Sequence, residues 1–354
     1  MSYDSGTEAA LTAFEDFSAK IRLIRFPLLL LIVLIHARFD GPDYPDCLTR
    51  ILRTSVLLGK LPHCAVAIFF VISGYLFSWS ENANGYIRLM QRKLATLALP
   101  YLLWNTFLML PYLMIAKFPQ SSSLLPDSKL AGMNAWQVIV RCYGLNMEAP
   151  IDYPLWYLRN LMLLFAIAPA IQWLVRRLPW LLSVAMLMAG TFLTSDCSLW
   201  FFSFGIVCRT FDFDARRVEK FWPLCLFLPL GYCILAEFRF FHWAALLWLS
   251  IPLFLGVAIL LQKLPGIIRK WLSLLGELSF WIYCTHAPVA TTFARIGRRV
   301  NFLGMPPVAW VAVNIAVTIG MVVLALIVLK SCFPAFARIL CGGRVPFKAN
   351  KAHS

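Results

Sequence analysis

The sequence predicts an all-α fold, a polytopic bundle of about ten transmembrane helices with both termini in the cytoplasm. Three observations carry that prediction. Hydrophobic residues make up 60% of the 354-residue chain, charged residues only 14%, and mean hydropathy is +0.74. Soluble domains run at about 45–50% apolar and about 25% charged, so no soluble body of this size could hide the apolar surface. The apolar residues fall in runs of membrane-crossing length, and the basic residues cluster between those runs. The same figures exclude disorder, a collagen-like repeat and a disulfide-stapled secreted module.

Charge and cysteine narrow the class further. A net charge of +15 invites a nucleic-acid reading, but the basic residues sit in short clusters between spans, as an orientation signal does. No nucleic-acid partner is expected. The ten cysteines are scattered, with no C-x-x-C pair, and most lie inside apolar runs (Cys208, Cys225, Cys233, Cys284). A thiol there behaves as a small hydrophobe, so no metal site is expected.

A hydrocarbon core about 30 Å thick needs about 20 helical residues. With that ruler the spans fall at roughly 19–38, 63–79, 94–116, 154–175, 179–195, 198–209, 221–238, 242–262, 271–293 and 307–330. The first follows an acidic segment, residues 1–19 (Asp4, Glu8, Glu15, Asp16), that lacks a basic leader and reads as the lead-in to a retained anchor. The sixth is short. A cytoplasmic N-terminus leaves about twenty of the 32 basic residues inside and about eleven outside, which sets both termini in the cytoplasm. Residues 331–354 then form a basic cytoplasmic tail. The longest loop, about 117–153, lies outside; it opens on Gln120, Ser121, Ser122, Ser123 and Pro126 and continues into a short interfacial helix at Trp136-Gln-Val-Ile-Val.

Ionisable groups inside spans are costly and mark function by default. Span one carries Arg25 and His36. Eleven residues turn about 1,100°, so the two share a helix face within about 20° and stand about 16 Å apart along the axis. Arg25 also reads as a positive-inside anchor, and His36 as a satisfied interfacial histidine. His286, in span nine, reaches about 22 Å from the inner end against about 25 Å for His36, so two histidines at one depth could line one cavity. Arg159 enters span four from the outside and must pair or face a polar cavity. Glu148 and Asp152 flank the outer mouth of span four, as binders of hydroxyls or as solvated groups. The Ser73-Gly74 pair reads as close helix packing, because no nucleophile-elbow pattern surrounds the serine.

The chain resembles the acyltransferase 3 family of membrane O-acyltransferases. Arg25-x10-His36 resembles its first-helix signature, and Phe69-Phe-Val-Ile-Ser-Gly-Tyr-Leu-Phe its second-helix motif. Arg92-Lys-Leu-Ala-Thr-Leu-Ala-Leu-Pro-Tyr-Leu-Leu-Trp104 resembles the basic entry to its third helix, Pro154-Leu-Trp-Tyr-Leu-Arg-Asn its fourth and Leu278-Ser-Phe-Trp-Ile-Tyr-Cys-Thr-His286 its ninth. The matches lie in order over residues 20–330. Two positions depart from the family's pattern: Thr96 stands where a second basic residue often precedes the third-helix proline, and Asn160 where an aspartate is common.

The resemblance implies an enzyme of the bacterial inner (cytoplasmic) membrane. It would transfer an acyl group, acetyl in the family's majority case, from cytoplasmic acyl-CoA to a sugar hydroxyl of a cell-envelope glycan or lipid-linked saccharide. Acetyl-CoA serves as co-substrate, and no metal is implied. The residue chemistry fits. Arg25, Arg88, Arg92 and Lys93 can hold the donor's phosphates by charge-assisted hydrogen bonds. An imidazole near neutrality can take a proton from the hydroxyl, the role expected of His36, with His286 placing the acyl group. Asp40, one turn beyond His36, can orient that ring, with Asp43 and Asp46 as competitors. Arg159, Trp156 and Glu148 are the residues expected at the acceptor. A competing reading is a non-enzymatic exporter of a glycan or lipid, which would show repeat symmetry or paired broken helices; neither is evident.

Overall fold

A computed structural model describes residues 3–37, 55–77, 83–116, 133–194, 197–300 and 304–344. Every regular element among them is helical. The helices are α1 (Tyr3–Ala37), α2 (Cys64–Tyr75), α3 (Ala83–Lys93), α4 (Leu99–Ala116), α5 (Ala135–Cys142), α6 (Trp156–Val175) and α7 (Trp180–Leu193). They continue with α8 (Ser198–Thr210), α9 (Trp222–Leu235), α10 (Trp243–Gln262), α11 (Gly266–Glu277), α12 (Ser279–Arg299), α13 (Pro307–Cys332) and α14 (Pro334–Leu340).

Six helical segments among the described residues are long and apolar enough to cross a membrane: Val56–Tyr75, Gly85–Met114, Tyr153–Val175, Ala215–Phe238, Trp243–Gln262 and Ala309–Cys332. α7 is apolar but shorter. α8, with 13 residues, spans about 20 Å, less than a hydrocarbon core. α1 is long, but Lys20, Arg22 and Arg25 interrupt its apolar stretch.

Three expected boundaries move. The second span starts seven residues early, in a π-helical turn at Val56–Lys60 that runs through a 3-10 turn into α2. The third is preceded by α3, and a π-helical turn at Leu94–Ala98 carries the backbone without a break into α4. Hydropathy stops at Arg88, Arg92 and Lys93, whereas an amphipathic helix does not. The stretch expected as span nine is two helices, because the chain turns at Leu278 between α11 and α12. The depth of His286 therefore has to be counted from Ser279, the first residue of α12, and the level reckoned from residue 271 is corrected.

The helices form two compact units. The first comprises Met1–Ser78, Leu164–Ser279 and Ala290–Val317; the second comprises Trp79–Leu163, Phe280–Val289 and Thr318–Ser354. In the first, α2 and α8 meet backbone to backbone. A Cβ on Gly74 would fall 2.0 Å from the Phe202 carbonyl oxygen, and one on Gly205 would fall 2.2 Å from that of Val71. Small residues that let helices approach this closely are the usual glue in lipid, so Ser73-Gly74 belongs to packing. α11 lies against α1 in the same way, through Gly276, whose Cβ would stand 2.9 Å from the Arg22 carbonyl oxygen.

The second unit is organised by aromatics. Tyr101, Leu155, Leu158 and Cys284 are buried together with Trp104, Tyr143, Tyr157, Phe280 and Tyr283 around them. The buried Trp281 indole donates to the Val322 carbonyl at 2.7 Å, which fastens α12 to α13. The expected helix after Trp136 is present as α5, with a capping box in which Asn134 and Gln137 satisfy each other's backbone N–H groups.

Candidate active site

In the first unit, α1 runs as one helix through both Arg25 and His36, and both side chains are half-buried. The eleven-residue register between them therefore survives in the fold. The C-terminal end of α1 is held by a residue the sequence reading passed over. Asn314, fully buried in the apolar α13, donates from its amide to the carbonyl oxygens of Ala37 at 3.1 Å and Ala290 at 3.0 Å. Ala37 then packs with Ala294, Trp310 and Val311, and Phe293 stacks on Trp310 with centroids 4.9 Å apart. The signal was available: a lone asparagine inside a long apolar helix is expensive unless it binds something. Asp40, Asp43 and Asp46, the expected partners of His36, lie outside the described residues.

At the other end of α1 the structure places a buried ion network. Lys20, only 1% exposed, pairs with Asp16 one turn earlier and with Glu219 at 2.7 Å. Gln262 of α10 donates to the second oxygen of Asp16 at 3.3 Å. A charge counted as an orientation signal is thus also a buried tie among α1, the 3-10 turn Ala215–Phe221 and α10. Beside it opens a cavity of about 730 Å³, walled by apolar residues such as Ile24, Val71, Phe204 and Phe254 and edged by Asp212 and Arg217. Asp214, on the same edge, is held below the usual carboxylate range by its hydrogen bonds from Arg216.

In the second unit, Arg159 finds its shortest contacts in the backbone, beside longer ones to the Asn160 side-chain oxygen at 3.3 and 3.4 Å. Its guanidinium donates to the carbonyl oxygens of Gly144 at 2.7 Å, Met147 at 3.1 Å and Glu148. Those carbonyls belong to a tight loop in which Gly144 and Met147 both adopt positive φ. The glycine is required, since a Cβ there would meet the Glu148 carbonyl oxygen at 2.5 Å. Arg159 therefore shapes the loop before α6, whatever else it binds. The Glu148 side chain is exposed, and Trp156 is half-buried at the start of α6.

Asp152, weighed beside Glu148 as an outer acid, turns out to be buried at 2% exposure. Its backbone N–H donates to the side chain of the buried Asn105 at 3.1 Å, while its Oδ2 makes no hydrogen bond to any described residue. Burial pushes the Asp152 carboxyl well above the usual range. Around it, Tyr101 donates to the Tyr143 carbonyl at 2.6 Å and Tyr283 to that of Pro154.

His286 on α12 is fully buried. Its Nδ1 lies 3.0 Å from the Ile282 carbonyl and 2.9 Å from the Tyr283 carbonyl. A carbonyl oxygen can only accept, so the neutral ring carries its proton on Nδ1 and keeps its lone pair on Nε2. The fold therefore fixes the tautomer. Of the expected donor-binding cations, Arg88 and Arg92 are exposed and Lys93 is half-buried, all on α3. His36 and Arg25 belong to the first unit, and His286, Arg159, Trp156, Glu148 and the α3 cations to the second.

These features define a multi-helix membrane protein that holds titratable and cationic groups inside apolar helices. The chain belongs to the acyltransferase 3 family: an acyltransferase domain matches residues 18–329. Family membership makes it a membrane acyltransferase, which decides against the non-enzymatic exporter. It is similar to the succinoglycan biosynthesis protein ExoH of Rhizobium meliloti (strain 1021), at 27% identity over 94% of each chain. No solved structure matches the chain.

Proposed function

We propose that the protein transfers an acyl group, acetyl in the first instance, from acyl-CoA to a sugar hydroxyl of a cell-envelope glycan or lipid-linked saccharide, at the inner membrane. Three things support the reading: the family match, the part of the similar ExoH protein in making a glycan, and the Arg25–His36 register. The observation that carries the mechanism is the unbroken α1 with both residues half-buried along it. In this scheme about ten spans place both termini in the cytoplasm, where the donor is found.

The chemistry is an acyl exchange. His36 takes the proton of the acceptor hydroxyl as its oxygen attacks the thioester carbonyl. The C–S bond breaks, the acyl–oxygen bond forms, and the thiolate of CoA leaves and is protonated. Arg25, Arg88, Arg92 and Lys93 bind donor phosphates; the fixed Nε2 of His286, an acceptor, takes a hydrogen bond or a proton during acyl transfer. Asp40 orients the His36 ring. On the acceptor side, Trp156 offers a stacking face, Glu148 an exposed hydroxyl-binding carboxylate and Arg159 the loop that carries it.

The test is incorporation of labelled acetyl from acetyl-CoA into envelope glycan by membranes holding the wild-type protein, set against membranes from a deletion strain. Mass spectrometry of the glycan identifies the acceptor position. Equal acylation in both membranes would reject the reading.

A further inference from the structure

Among the described residues, Arg344 is a cation with no carboxylate partner. The chain leaves α14 through a Schellman turn: Gly342 and Gly343 take φ of +62° and +75°, and their N–H groups return to the carbonyls of Ile339 and Arg338, each at 2.9 Å. The turn sets Gly342 directly on the π-helical segment between α3 and α4. A Cβ there would fall 2.3 Å from the Thr96 carbonyl oxygen, and a Cβ on Gly343 would lie 3.6 Å from the Thr96 methyl. Only glycine permits this contact. The next residue, Arg344, lays its guanidinium over the Phe280 ring at 4.3 Å from the centroid.

That guanidinium makes no hydrogen bond or ion pair with any described residue. Its electrostatic neighbours Cys284, Tyr157 and Cys341 bring no carboxylate, and a second cation, Lys93, stands within range with Arg92 beside it. Crowding by protein holds the arginine pKa below its ordinary value, so the site disfavours a lone cation. A fixed arginine, stacked on an aromatic face and offering an unused fork of donors, is built for a phosphate. A merely solvated arginine would not require two glycines in left-handed geometry to reach this place.

We infer that Arg344, brought onto Thr96 by the Gly342-Gly343 turn, completes with Arg92 and Lys93 a phosphate-binding site for the acyl donor. The residue lies beyond the matched family domain, in the segment read as a tail, and serves at the place where Thr96 itself brings no charge. The inference rests on the assignment of Arg92 and Lys93 to the donor. The same cluster chemistry would take an anionic lipid headgroup, so the experiment separates the two.

The full-length protein is placed in nanodiscs of phosphatidylcholine, with and without added phosphatidylglycerol, and coenzyme A binding is measured by calorimetry. Arg344→Gln should raise the Kd about tenfold, the worth of one charge-assisted hydrogen-bonded contact, and Arg344→Lys should recover part of the loss. Gly342→Val keeps the charge but cannot seat the turn, and should show the same weakening; matched melting curves guard against misfolding. Wild-type affinity in Arg344→Gln, together with weakened binding in an Arg92→Gln/Lys93→Gln variant, would overturn the inference and leave the donor assignment standing. No coenzyme A binding by the wild type would remove both. Should Arg344→Gln alter only the response to phosphatidylglycerol, the site belongs to a lipid headgroup and the inference fails.

Discussion

The amide of Asn314 donates to the carbonyl oxygen of Ala37 at 3.1 Å, one residue beyond His36. A second bond from the same amide reaches the Ala290 carbonyl at 3.0 Å, so one buried side chain ties α13 to the end of α1 and to α12. Interhelical hydrogen bonds in membranes are worth about 0.6 to 2 kcal/mol. Asn314→Leu should lower detergent stability by about that amount and reduce kcat more than KM, because the histidine's helix end loses its tether while the cations proposed to bind the donor are untouched. Melting curves and initial-rate kinetics on one preparation check both parts.

Lys20 is the second buried group that the sequence disguised. Removing one member of a buried ion pair commonly costs about 3–5 kcal/mol, because the partners stay behind uncompensated. Lys20→Met should therefore sharply reduce membrane abundance. Adding Asp16→Asn and Glu219→Gln should restore it, since the uncompensated charges are then gone. If the single and triple variants are equally poor, Lys20 acts through orientation instead; a topology reporter on the N-terminus would show the inversion.

Gly74 and Gly205 separate packing from chemistry in the second-helix motif. Forcing a side chain into a close contact costs about 1–3 kcal/mol, and here each new Cβ would meet a backbone carbonyl, not a movable side chain. Gly205→Ala should destabilise the protein by at least that range, whereas Ser73→Ala should leave acylation near the wild-type level. A large activity loss in a well-folded Ser73→Ala protein would return the serine to the chemistry.

Asp152 supplies a pH dependence with a definite sign. Burial raises its folded-state pKa above the unfolded value, so the protonated carboxyl is the form the fold prefers. Its contribution is fully present below the ordinary aspartate range and is lost as pH rises toward the folded-state value. Asp152→Asn removes the charge and should be more stable than the wild type at pH 8, with the gap closing at pH 4. Melting temperatures at the two pH values decide it, and an unchanged gap would mean that the carboxylate has found a counter-charge.

The sequence was most legible where composition and register act alone. Apolar runs located the six helical segments among the described residues that are long and apolar enough to cross a membrane, and counting by 100° per residue put Arg25 and His36 on one face of a helix that the fold keeps whole. It was least legible where a helix end is not marked by hydropathy. The turn at Leu278 divides an apolar stretch, and the helix of Ala83–Lys93 runs through a charged one. Polar groups whose partners are backbone atoms were also hidden. Arg159 binds loop carbonyls 11 to 15 residues away, and Asn314 binds one 277 residues away, which no local pattern announces. Arg344 needed both the Gly-Gly turn and its landing place on Thr96 to be seen.

His36 carries the sharpest prediction. It lies half-buried on the helix that also carries Arg25, the cation proposed to bind the anionic donor, and its helix end is fixed by Asn314. Loss of a positioned general base costs about 10²–10⁴ in rate. His36→Ala should reduce glycan acylation by that factor at normal membrane abundance, and His36→Gln, which keeps the shape and hydrogen bonding but not the basicity, should be no better. Arg25→Ala should instead raise the KM for acyl-CoA with a smaller change in kcat, as expected for lost donor binding. His286→Ala should fall between the two. Wild-type acylation by the His36→Ala strain would exclude this histidine as the base, and the fixed Nε2 of His286 would then be the group to test in its place.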